Sequence, residues 1–163
     1  MDEKQVAWVK SIVNAAGSRK LILFSHHQPF SQLDDQGPNL QKALADLLNT
    51  QRIHAWFWGH EHRLVIYNAH CTWGLKGRCI GHGGFPGFRD DLPCAQGNVY
   101  HWFILPEQPH VPGARLFDGP NFWIPQDLEG FSPHGYVVLD FDGDTVWETY
   151  RVPNNIGIEK AQL

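Results

Sequence analysis

Residues 20–62 read KLILFSHHQPFSQLDDQGPNLQKALADLLNTQRIHAWFWGHEH, and this stretch decides the fold. It opens with Lys20 to Ser25, a nearly continuous apolar run of strand length, as expected of a strand covered on both faces. Near its end, His54 to Trp58 has the same character. Between them, Leu40, Ala43, Leu44, Leu47 and Leu48 sit at i, i+3, i+4, i+7 and i+8. That spacing predicts one helix, opened by Gly37-Pro38-Asn39. Strand, helix and strand with short connections predict a right-handed crossover, which makes the two strands parallel.

Outward from this unit the pattern stays legible at both ends. Residues 3–16 read as an amphipathic helix with Val6, Val9, Ile12, Val13 and Ala16 on one arc. Asp2 with Gln5 three residues later forms a capping-box pattern, and Gly17 a stop. Beyond residue 62, Arg63 to Tyr67 and Gly77 to Ile80 predict short strands. Tyr136 to Phe141 and Thr145 to Val152 flank Asp142-Gly143-Asp144, which predicts a hairpin. The Gly-, Pro- and aromatic-rich region of about 83–133 predicts long loops, broken only by a strand at Tyr100 to Leu105.

A chain of 163 residues, 42% hydrophobic and 18% charged, fits one folded domain. Its net charge of -4 lacks the basic signature of a nucleic-acid binder. No apolar run approaches the roughly 20 residues of a membrane span, so no membrane partner is expected. MDEKQVAWVK lacks an export pattern, which leaves a cytoplasmic location as the default expectation. Cys71, Cys79 and Cys94 are odd in number and show no C-x-x-C spacing, which argues against a disulfide framework or a thiolate zinc site.

The ten histidines carry the chemical argument. His26-His27 follows directly on one strand, and Gly59-His60-Glu61-His62 on its parallel neighbour, so both clusters emerge where open α/β sheets place their ligands. In an extended His-x-His segment, alternate residues point the same way with α-carbons roughly 6.5–7 Å apart. Imidazoles so spaced can share one ion or hold a pair of ions. Gly59 is expected to free the backbone to turn and to let a ligand approach. His54, His70, His101, His110 and His134 read as packed or exposed side chains, and His82 as a turn histidine. Divalent ions normally recruit carboxylates as well. Asp34, Asp35 and Asp46 lack ligand spacing, and Glu61 points away from its neighbours if the segment is extended. The residues alone therefore predict a site short of anionic ligands.

These residues resemble the last two motifs of the calcineurin-like metallophosphoesterases. The strand ending in FSHHQPFS is similar to the motif in which a histidine follows a strand as metal ligand, and WFWGHEH is similar to the Gly-His-x-His motif. GRCIGHGGFPG and GYVVLDFDGDTVWETYRV resemble the closing strands. The resemblance implies an α/β fold amounting to half of an αββα sandwich, a parallel βαβ unit followed by mainly antiparallel strands, in one partial domain spanning 1–163. It further implies His26, His60 and His62 as metal ligands, with His27 as the second choice for the first of these or as a catalytic contact to substrate. Two divalent ions of Fe, Mn or Zn type would serve the complete enzyme, which hydrolyses a phosphoester substrate by attack of metal-bound hydroxide.

The earlier family motifs, Asp-x-His, Gly-Asp and Gly-Asn-His, have no equivalent before His26. The expectation is therefore a fragment, inactive alone, that associates through an exposed sheet edge or with a missing N-terminal half. Two alternatives stay open. One is a non-catalytic half-domain that binds a metal or a partner. The other is a cupin-like enzyme, disfavoured because Ile66 and Tyr67 stand where that scaffold wants a glutamate.

Overall fold

The computed structural model describes residues 1–92 and 97–163; Cys94 lies outside the described residues. The chain is α/β, with a six-stranded mixed sheet and a separate three-stranded antiparallel sheet. Helix α1, Glu3–Ala15, carries the expected capping box, Asp2 with Gln5, and Gly17 follows it at φ 59°. Strand β1, Leu21–Ser25, leads to two short helices, α2 (Pro38–Ala43) and α3 (Ala45–Asn49), and then to β2, Ile53–Trp58. The single helix expected over this stretch is broken at Leu44, whose φ of -112° and ψ of 17° leave the helical region. Leu44 at the break and Leu47 and Leu48 beyond it are all buried in the core.

Strands β3 (Leu64–Ala69), β4 (Lys76–Ile80), β5 (His101–Leu105) and β6 (Ala114–Asp118) complete the large sheet in the order β1-β2-β4-β3-β6-β5. β1, β2 and β4 are mutually parallel; β3, β6 and β5 pair antiparallel. The small sheet holds β7 (Tyr136–Asp142), β8 (Thr145–Val152) and β9 (Ile156–Gln162). Two of these strands depart from the sequence reading. β6, expected as loop, is the inner partner of β3, and β9 was not anticipated. ARLFD in β6 is short and ends at Gly119-Pro120, and its Arg115 is drawn in by a bidentate pair with Glu159 of β9. No periodicity betrays a five-residue strand stabilised in that way.

Side chains of β2 alternate between two covered faces. Trp56 and Trp58 pack with Leu47, Leu48, Val9 and Val13 beneath the helices. Ala55 and Phe57 pack with Val137, Leu139, Val146 and Leu163 of the small sheet and the chain end. Period-two alternation thus puts helices on one face and a second sheet on the other. Helix α1 is a loose cover: Ile12, expected on its buried arc, is 51% exposed. Arg78 of β4 reaches across to Glu148 of β8 through bonds of 2.8–3.1 Å, and Tyr150 donates to the same carboxylate at 2.8 Å. No described helix is long and apolar enough to cross a membrane.

Candidate metal centre

Because β1 and β2 run parallel and pair through Ser25 and Trp58, the residues after them leave the sheet side by side. The Gly59 amide donates to the His26 carbonyl at 3.1 Å, tying the two exits together. Ser25 Oγ donates to the His27 carbonyl at 2.7 Å and accepts from Trp56 Nε1 at 2.8 Å, which fixes the first turn against a buried indole.

The rings of His26, His27 and His60 converge. One nitrogen from each lies within 4.8 Å of the other two. His60 Nδ1 and His26 Nε2 are 3.3 Å apart. Two nitrogens each about 2.0–2.1 Å from one tetrahedral ion stand roughly 3.4 Å apart, so this pair already has the spacing of shared ligands. Neutral imidazole is a borderline-soft donor suited to zinc and related ions. The donor set therefore fits one divalent ion. A cleft of about 610 Å³ opens beside it, lined by the three histidines together with Ser25, Asp34 and Asp35.

His62 lies apart from this group, its ring 5.8 Å from that of Phe85. The cause is local backbone. His60 and His62 take φ of 49° and 54°, so GHEH bends through left-handed backbone at both histidines rather than staying extended as expected. Alternate side chains therefore do not point the same way. Gly59 is not where the chain needs glycine; a Cβ there would sit at an ordinary 3.8 Å from His26. Gly81 is the constrained position, because a Cβ would come within 2.8 Å of Gly59 O and His62 N.

Glu61 turns away from the cleft. Its carboxylate accepts from Trp58 Nε1 at 2.7 Å and from Ser31 Oγ at 2.6 Å. Burial pushes its pKa up to about 7, although both hydrogen bonds oppose the rise. It fastens the histidine turn to the 28–36 loop, and that loop changes the charge balance. Asp34 Oδ2 lies 3.6 Å from His60 Nε2, so a carboxylate does reach the histidines, contrary to the spacing argument. The signal missed is tertiary: the loop folds back because Gln28 Nε2 donates to the Asp35 carbonyl and Gln36 Nε2 to the Ser31 carbonyl.

Among the histidines left aside, His82 is buried in a 3-10 turn, its nitrogens without partners among the described residues. Burial pushes its pKa down to about 4. Cys71 and Cys79 are free thiols. No protein-family model matches the chain, and no curated protein matches it.

Proposed function

We propose that this chain carries the histidine metal centre of a metal-dependent phosphoesterase, in the manner of the C-terminal half of a calcineurin-like metallophosphoesterase. The observation that carries the reading is the convergence of His26, His27 and His60 at the matching ends of two parallel strands. The two facing sheets with helices behind the larger one are in keeping with half of an αββα sandwich. A divalent ion held there would supply Lewis acidity toward a phosphoryl oxygen and toward water.

The residues of the chain have separable tasks. His26 and His60 hold the ion through the nitrogens that already face each other. His27 closes the third side and, being exposed on the cleft, is placed to touch a substrate oxygen. The turn fastened by Glu61 and Ser25 keeps these rings in register. A second ion in the complete centre would need donors beyond this trio. The family motifs that supply them are not in residues 1–163, and His62 lies against Phe85.

A second reading, a metal-binding module without turnover, is favoured by one feature: Asp34, 3.6 Å from His60 Nε2, is the one carboxylate within 4 Å of these histidines' ring nitrogens among the described residues. Metal content and p-nitrophenyl phosphate turnover separate the two. Both should be measured on this chain and on the product with in-frame upstream sequence, beside His60→Ala. Bound metal with turnover in the longer product, both lost in His60→Ala, supports the phosphoesterase. Bound metal without turnover in either product supports the module, and an absence of metal from both contradicts each reading.

A further inference from the structure

We infer that Asp34 is the positioning carboxylate of the metal centre, holding the His60 ring so that Nδ1 faces the ion. The inference rests on the metal-binding reading and adds a residue and a task to it. His60 has two ring nitrogens with different neighbours: Nδ1 faces His26 Nε2 at 3.3 Å, and Nε2 faces Asp34 Oδ2 at 3.6 Å. A histidine that ligates a metal through one nitrogen usually gives its other N–H to a carboxylate, which fixes the tautomer and raises ligand basicity.

The loop is built to keep Asp34 there. Ser31 Oγ accepts from the Asp34 amide at 3.0 Å and donates to Glu61 Oε2 at 2.6 Å. Glu61 is the residue after His60, so one hydroxyl and one carboxylate tie Asp34 to the histidine turn from the far side. The Leu33 amide bonds the same hydroxyl at 2.9 Å. Stability does not explain the pair. The two side chains are 38% and 42% exposed, where solvent screens a charge contact and leaves it little weight in folding. Its effect is geometric: Asp34 stands on the Nε2 side of a ring whose other neighbours are the His26 and His27 rings, with centroids 5.2 and 4.6 Å away.

Zn²⁺ affinity, read by competition with a chromophoric chelator, tests the assignment on the wild-type chain, Asp34→Asn, Asp34→Glu, Asp34→Ala and His60→Ala. Asp34→Asn and Asp34→Ala should weaken Zn²⁺ binding by about 10- to 100-fold, Asp34→Glu should recover most of it, and His60→Ala should lose more than any of them. The metal-free melting temperature of Asp34→Asn should match wild type. Wild-type affinity in Asp34→Asn, with His60→Ala still defective, overturns the role of Asp34 and leaves the metal centre intact. A loss in Asp34→Asn equal to that of His60→Ala makes Asp34 a ligand and also overturns the positioning role. A lowered metal-free melting temperature that Asp34→Glu restores without restoring affinity does the same. Absence of Zn²⁺ binding in wild type overturns the metal-binding reading itself.

Discussion

His60 and His62 hold left-handed backbone on either side of Glu61. That conformation costs an L-residue about 1–2 kcal/mol, although histidine tolerates it better than most. Glycine would occupy these positions freely, and at 60 the histidine supplies the ring that meets His26 and His27. His60→Gly is accordingly expected to abolish metal binding while leaving the metal-free protein as stable, or more stable by about 0.5–1 kcal/mol, in urea titration. A clear loss of metal-free stability would instead make His60 a structural residue. The histidines and their strand-end placement were legible in the sequence because both depend on local order along the chain. The direction of each ring was not, since it depends on backbone signs at 60 and 62 and on a loop returning from residue 34.

At the scale of the element, His82 and Glu148 are buried polar groups with opposite solutions. Glu148 of β8 is satisfied by Arg78 of β4 and by Tyr150, and it bonds the two sheets together. Removing one member of such a pair leaves a buried charge, so Glu148→Gln should lower unfolding free energy by about 3–5 kcal/mol in guanidinium titration. An effect within about 1 kcal/mol would show that packing alone joins the sheets. His82, in the turn after β4, has no such partner among the described residues, and burial pushes its pKa down to about 4. In the unfolded chain the ring titrates near about 6.5. The unfolded state therefore takes up the proton first as pH falls. The stability linked to this group is whole above about pH 6.5 and declines toward pH 4, by up to about 3 kcal/mol. His82→Leu should flatten that part of the pH profile in melting experiments, and an unchanged slope would assign it elsewhere. Long periodic or apolar segments, α1 and β1 to β2, were legible because their own pattern specifies them. β6 and β9 were not, because each is fixed by its neighbours: β6 lies between β3 and β5, and its Arg115 reaches Glu159.

Across the whole molecule, the large sheet ends at β1, whose outer edge carries no strand partner among the described residues. Phe24 in that strand stacks on Phe57 yet stays 64% exposed. An open edge with an exposed aromatic invites strand pairing with a second chain. Concentration-dependent association is therefore expected in size-exclusion chromatography with light scattering, and Phe24→Lys should weaken it without altering the circular dichroism spectrum. A wild-type monomer at all concentrations would show that the edge is protected. The same edge lies beside the cleft, since β1 delivers His26 and His27, so the histidine cluster stands at a margin of the sheet. The central claim is that three imidazoles from two neighbouring strand ends surround one ion. X-ray absorption at the zinc edge of the Zn²⁺-loaded protein tests it most directly. Three imidazole nitrogens at about 2.0–2.1 Å are expected, falling to two in His26→Ala. A shell of oxygen ligands alone, or one unchanged by His26→Ala, would contradict it.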